Sequence, residues 1–443
     1  MPYVIIGGDA AGMSAAMQIR RLNAQAEIIT LEKGDIYSYA QCGLPYVLSG
    51  EVKSTEDLIV RDANTFREKN NIDARTNIEV IRLDTKAKVV IAKYKETKKE
   101  IAIPYHKLLI ATGGSPFLPN WEGEHLKGVF TLKTIPNLQE MMHYLEGDVQ
   151  QVTIIGGGYI GLEMAEALSI MDKKVRLIIR SSQVASMFDE DMAELIHEEA
   201  RKNQIELILN EDTKKIIGDN SIHSVLTDKG EYKTDLLLIA TGIKPNTSFL
   251  EASGIKMDNK GALEVNSFME TNIKDIYAAG DCAQQFHRVK NKADYVPLGT
   301  TANKQGRIAG MNMLGQAREY GGIVGTSILR FFNLTLGKTG LSIKEAKELL
   351  MKTNSVRIET IDRAAYFPDR KSLTMKLVYD KNSRKLLGGQ VIGESGVDKR
   401  IDVLATALYN EMTLDEVEDL DLSYAPPYNG VWDPIQQAAR RAK

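Results

Sequence analysis

Cysteine is nearly absent. The 443 residues contain only Cys42 and Cys282, and no Cys-x-x-Cys pair. Two thiols so far apart make no disulfide framework, so burial must hold the fold. Histidine is sparse too. Its six residues are scattered and suggest no metal site. No sign of charge dominates: 56 Lys and Arg face 59 Asp and Glu, a net charge of −3. Such a balance gives no overall field for nucleic acid or an anionic membrane. Apolar runs such as Leu236–Thr241 are far too short to span a bilayer. The start, Met-Pro-Tyr-Val-Ile-Ile-Gly-Gly, lacks the basic lead and long apolar stretch of a signal peptide. The end, Ala-Arg-Arg-Ala-Lys, carries no lipidation motif. These absences predict a cytoplasmic protein with no nucleic-acid partner, no membrane and no metal.

Glycine is plentiful, and its order is informative. Val4–Gly12 reads as a buried strand entering a glycine turn, Ala10–Leu22 has helical spacing, and Glu27–Leu31 is a second strand. The pattern recurs as strand Gln151–Ile155, turn Gly156–Gly161, helix Leu162–Ile170 and strand Val175–Ile179. A second echo lies in Lys107–Gly113 (KLLIATG) and Asp235–Gly242 (DLLLIATG). Two βαβ units predict α/β layering with parallel sheets and two nucleotide-binding domains. From about Gly325 the texture changes. Leu373–Tyr379 and Leu386–Ile392 alternate like antiparallel strands about a turn at Asp380–Arg384. Helical stretches follow at Asp398–Asn410 and Trp432–Arg441, as in a separate α+β domain.

In the first turn, Gly7 allows a tight bend and Gly12 close helix packing, with Asp9 at the middle position. A diphosphate would sit on the helix N-terminus, and Glu32, ending the next strand, would take the ribose hydroxyls. Asp275–Ala283 (DIYAAGDCA) resembles the second FAD motif of flavoproteins with two dinucleotide domains. That resemblance places Asp281 on the ribityl chain. It also turns the helix of Pro297–Gly306 toward the flavin pyrimidine ring, where its dipole would stabilise negative charge. The expected FAD residues are Gly7, Ala11, Gly12, Glu32, Ala111, Thr112, Gly113, Gly280, Asp281, Pro297 and Ala302.

The second turn satisfies G-x-G-x-x-G in full, which in such a chain implies NADH or NADPH. The position of an NADH-selecting acid falls at Ile179, followed by Arg180-Ser181-Ser182. An Arg and two hydroxyls could accept a 2′-phosphate, so NADPH is expected over or alongside NADH. The expected residues are Gly156, Gly158, Tyr159, Ile160, Gly161, Arg180 and Gly242.

Cys42 lies in Ser38-Tyr39-Ala40-Gln41-Cys42-Gly43, just after Glu32, and precedes an expected helix start that would favour a thiolate. Cys282 reads as packing beside Asp281. The Ser38 to Cys42 segment resembles the S-x-x-x-C signature of coenzyme A disulfide reductases, and the order of all the motifs matches that family over the whole chain. The C-x-x-x-x-C pair of other disulfide reductases is absent.

With one protein thiol, the oxidised state must be a mixed disulfide with a small thiol or a sulfenic acid. The resemblance implies Cys42–S–S–CoA. It also implies CoA contacts from Ser14, Gln18, Arg21, Ser38 and Gln41, although Arg20 and Arg21 also suit a solvated helix face. Two family lysines are replaced by Asn70 and Trp432, and Trp432 could stack on the adenine instead. Tyr366 and Tyr424 match tyrosines that family members bring from the partner subunit to protonate the departing CoA, whereas Tyr428 reads as packing.

The implied architecture has two Rossmann-like domains, for FAD and NAD(P), and a C-terminal α+β dimerisation domain. Residues 1–112 and 243–322 would bind FAD, 113–242 NAD(P)H, and 323–443 would dimerise. The implied activity is NAD(P)H-dependent reduction of CoA disulfide by a homodimer. The alternatives are a single-cysteine NADH oxidase or peroxidase, a CoA persulfide or polysulfide reductase, and a redox-sensing flavoprotein with little turnover.

Overall fold

Tyr-Val-Ile-Ile at residues 3–6 forms the middle strand of a parallel sheet. It pairs with Ile28–Leu31 on one side and Lys107–Ile110 on the other. Ile276–Ala278 and Asp73–Arg75 complete the edges, so the order is 276–278, 107–110, 3–6, 28–31, 73–75. The inner strands are apolar almost throughout because both faces are covered. Val4, Leu108 and Ile110 are fully buried, and each such side chain stabilises by about 1.5–3 kcal/mol.

The second motif repeats the arrangement. Gln151–Ile155 lies between Lys174–Ile179 and Leu236–Ile239, with Glu206–Leu209 and Val129–Phe130 outside them, all parallel. The Ala-Thr-Gly echo now has a cause. A Cβ on Gly7 would lie 2.1 Å from Ala111 O, and one on Gly156 would lie 2.3 Å from Ala240 O. In each half the bend brings the carbonyl of the Ala-Thr-Gly alanine against the first motif glycine.

Near the C-terminus a five-stranded antiparallel sheet has the order 327–331, 334–340, 386–393, 372–380, 353–361. Gly337 and Gly389 leave room for Ile401 and Leu404 of the helix Val397–Tyr409. The final helix, Pro434–Arg441, begins later than expected because Asp433 caps it, accepting from Ile435 N–H at 2.8 Å. The helix of the second motif begins earlier, at Tyr159. Gly158 is its N-cap, so the glycine run hides its first turn.

The computed structural model describes residues 1–442. They form two compact units. One comprises Met1–Phe117, Ile243–Phe286 and Lys292–Gly322, and holds the first sheet. The other comprises Leu118–Gly242, His287–Asn291 and the described residues from Ile323 onward, and holds the second sheet with the C-terminal one. Within it, Glu166 accepts from Arg330 Nε at 3.0 Å and Phe332 N–H at 2.9 Å, tying the second motif helix to the strand Ser327–Phe331. Among the described residues, no helix is long and apolar enough to cross a membrane, and no group of three His, Cys, Asp or Glu could hold a metal.

Candidate active site

In the first unit, Gly7 has φ +115°, and a Cβ on Gly12 would lie 2.0 Å from Gly7 O. Neither position tolerates a side chain, so the turn approaches its helix as a diphosphate site requires. Glu32 aims its carboxylate at this turn, accepting from Gly8 N–H and Gly34 N–H, both at 2.8 Å. The middle position is not wasted on glycine. Asp9 accepts from Gln41 Nε2 and thereby ties the turn to the cysteine segment.

The Asp281 loop closes beside it. Gly280 has φ +82°, and its Cβ would stand 3.0 Å from Ala11 Cβ and 3.4 Å from Ala302 Cβ. It therefore meets the first turns of both Ala10–Leu22 and Gly299–Met313. Pro297 lies just before the second helix, whose N-cap is Leu298. Thr112 donates to Asn246 O at 2.8 Å. Positions Gly113 and Gly299 open onto space, with nothing within 4 Å of an added Cβ. Two helix N-termini, a strand-end carboxylate and open glycine positions fit an elongated dinucleotide such as FAD.

Cys42 is exposed, at the centre of a 3-10 turn, Gln41–Gly43. Its segment hangs from the glycine turn, since Ser38 N–H donates to Gly8 O at 2.9 Å. The expected helix is a correction in scale. Leu44–Leu48 has five residues, so its dipole offers the thiolate little. Cys282 is fully buried, with Sγ 3.4 Å from Ile110 O and Ala279 O, and burial pushes its thiol up. It is inert packing.

The candidate CoA residues have partners of their own. Ser14 donates to Asn303 Oδ1 at 2.7 Å, and Arg21 Nη1 donates to the buried Gln18 at 3.1 Å. Arg20 corrects the solvated-face expectation: it bonds the carbonyls of Ala24, Ala26, Asn70 and Asn71 and is a structural staple. Trp432, in the second unit, is half-exposed, with the Arg440 guanidinium 4.6 Å from its ring.

In the second unit, Gly156 has φ +111°, and a Cβ on Gly161 would meet Gly156 O at 2.1 Å. Gly158 and Gly242 open onto space, as a nucleotide needs. Ile160 is half-buried, and the Tyr159 hydroxyl bonds Ser327 Oγ. Arg180 is exposed and makes no hydrogen bond or ion pair among the described residues.

Tyr366 and Tyr424 meet, their phenol oxygens 3.2 Å apart. That hydrogen bond is the main cause raising the Tyr366 phenol above its usual value. Tyr428, expected as packing, is 71% exposed among the described residues. Sequence reasoning missed Glu163, whose carboxyl burial and then Glu166 raise to about 7. Its spacing from Tyr159, one helical turn, was the available signal.

The chain belongs to the pyridine nucleotide-disulphide oxidoreductases: that family's model matches residues 1–306, and its dimerisation-domain model matches 326–434. It is therefore an oxidoreductase using FAD and NAD(P)H, built as a homodimer. A NAD(P)H coenzyme A polysulfide/persulfide reductase of Pyrococcus horikoshii is 38% identical, covering 99% of this chain and 98% of its own. A coenzyme A disulfide reductase of Staphylococcus aureus is 31% identical, covering 99% of each. Among solved structures, a NAD-dependent persulfide reductase from A. fulgidus superposes with TM-score 0.97 at 36% identity, over 99% of this chain and 82% of that one. An engineered water-forming NADPH oxidase bound to NADPH gives TM-score 0.96 at 27% identity, over 99% and 98%.

Proposed function

We propose that this protein reduces coenzyme A disulfide with NADPH, through a mixed disulfide between Cys42 and CoA. One observation carries the proposal: the one exposed thiol among the described residues hangs from the flavin-motif turn, while the other is sealed. The second sulfur of every exchange must then come from substrate. When bound, FAD relays the electron pair of the dihydronicotinamide to sulfur. The Cys42 thiolate attacks CoA–S–S–CoA, forming Cys42–S–S–CoA and expelling one CoA thiolate. Two electrons from NADPH then cleave the mixed disulfide, returning the Cys42 thiolate and a second CoA. Tyr366 and Tyr424, supplied by the partner subunit, protonate the departing thiolates.

For the coenzyme, support comes from Ile179-Arg180-Ser181. In the engineered NADPH oxidase, a consecutive Asp-Ala-Met was replaced by Ala-Arg-Ser. This chain likewise reads apolar residue, Arg, Ser. An uncontested guanidinium suits a 2′-phosphate.

Intact-mass spectrometry of the purified protein before and after reductant tests the proposal. The expected result is loss of one CoA per chain, no adduct on Cys42→Ser, and turnover of CoA disulfide by the wild type alone. An unmodified or oxygenated Cys42 with no such turnover overturns it. The Pyrococcus relative favours a second reading in which CoA persulfide or polysulfide is the oxidant. Comparing kcat/KM for the two sulfur substrates separates them.

A further inference from the structure

We infer that His197 is the positioning residue for coenzyme choice: from beneath the exposed Arg180–Ser182 run, it fixes the backbone that sets that run against a 2′-phosphate. The inference rests on the NADPH reading above and deepens it.

Beyond Ile179 the chain leaves its strand and runs to Asp189, the N-cap of helix Glu190–Lys202. Arg180, Ser181 and Ser182 are exposed, Gln183 is half-buried, and Val184, Ala185 and Phe188 are buried, with Ser186 exposed between them. Val184 N–H donates to His197 Nε2 at 3.2 Å, where the imidazole is only 5% exposed. A backbone N–H can only donate, so Nε2 carries the lone pair and the ring proton sits on Nδ1. Nδ1 faces Glu194 Oε2 at 3.1 Å, and Arg201 holds Glu194 at 2.9 Å. The imidazole is thus oriented from behind, and its one acceptor is spent on the loop.

The next residue joins the loop to the diphosphate turn. Ala185 N–H donates to Gly157 O at 2.7 Å, from a left-handed backbone at φ +48°. Farther on, Asp189 and Gln390 exchange two hydrogen bonds, at 2.9 and 2.8 Å, with Lys376 Nζ 3.1 Å from the carboxylate. Ahead of these anchors, the exposed residues Arg180, Ser181 and Ser182 remain to face a ligand. A planar guanidinium rewards such fixing, because its paired contacts to phosphate depend on angle. A ligand without the 2′-phosphate gains nothing from it. His197 therefore touches no coenzyme, and acts through Val184 on selection.

The test uses the holoenzyme with His197→Asn, His197→Gln and Arg180→Ala. Calorimetric Kd values for NADP+ and NAD+ are measured beside KM and kcat for both reduced coenzymes. The shorter Asn amide falls short of Val184, whereas Gln can place an acceptor where Nε2 stood. H197N should weaken NADP+ by about tenfold, the effect of one lost hydrogen bond. NAD+ affinity and kcat should hold, and H197Q should recover most of the loss. Parallel changes for both coenzymes, or none, while R180A discriminates, would overturn the inference. If the wild type binds NADP+ no tighter than NAD+ and R180A changes nothing, the NADPH reading itself falls. Should H197N fail to fold, Gln390→Met, which loosens the far end of the same loop, replaces it with the same expectation.

Discussion

The phenols of Tyr366 and Tyr424 lie 3.2 Å apart although 58 residues separate them. Two hydroxyls so placed can pass one proton between them, so either ring alone should be a poorer proton relay. Tyr366→Phe and Tyr424→Phe are each expected to lower kcat with CoA disulfide by about 10²-fold. The double variant should lose little more, since the pair acts as a unit. Steady-state assays at saturating NADPH check both. Glu163 offers a different measurement. Its carboxyl titrates at about 7 in the folded chain, against 4.5 ordinarily. A raised acid binds its proton more tightly in the fold than in the open chain, so this group's contribution to stability falls as pH rises between those values. Glu163→Gln should therefore raise the unfolding free energy at pH 8 by about 1–3 kcal/mol and change it little at pH 5. Thermal melts at the two pH values would show it, and equal shifts at both would refute the assignment. At this scale the sequence singles out candidates inside dense local strings, such as Cys42 and Tyr424. It concealed Glu163, the Asp9–Gln41 bond and the Arg20 staple, because their partners are remote in the chain or are backbone carbonyls.

Helices Ala10–Leu22 and Gly299–Met313 meet along small residues. A Cβ on Gly306 would lie 2.1 Å from Ala11 O, and one on Gly310 would lie 2.7 Å from Ala15 O. Both obstacles are backbone, which cannot turn aside, so the seam has no slack. Gly306→Ala should cost about 1–3 kcal/mol and loosen FAD retention, because Ala11 also abuts Gly280 of the Asp281 loop. A melt and a flavin-to-protein ratio after gel filtration test this together. The two tyrosine segments owe their meeting to a different device. Buried Arg400 donates to Asp362 O at 2.9 Å on one segment, and to Asn429 and Asp433 on the other. The regular elements were legible from periodicity, and Gln151–Ile155 and Ala10–Leu22 fall where it put them. What escaped was set by single residues: the Gly158 cap that starts a helix early, the Asp433 cap that starts one late, and the five-residue helix after Cys42.

For the molecule as a whole, duplication made the plan readable, since each glycine turn predicts its strand, helix and Ala-Thr-Gly partner. The dimer was readable only through resemblance, because an interface leaves no periodic mark. Its trace is exposure: Tyr366 is 74%, Tyr428 71% and Val431 71% exposed, all within the matched dimerisation domain. Apolar side chains left bare on one chain suit burial against another. In a symmetric dimer whose sites borrow tyrosines, one intact site needs Cys42 from one chain and the tyrosines from its partner. That arrangement has a decisive consequence. A Cys42→Ser chain and a Tyr366→Phe/Tyr424→Phe chain, each inactive or nearly so alone, should form a heterodimer with one complete site. Tagged separately and purified as the mixed dimer, it should turn over CoA disulfide at about half the wild-type rate per dimer. If instead each site is built within one chain, the mixed dimer contains no complete site and stays at the level of its parents. Measured beside both parental homodimers, the rate of the mixed dimer therefore decides whose tyrosines serve Cys42.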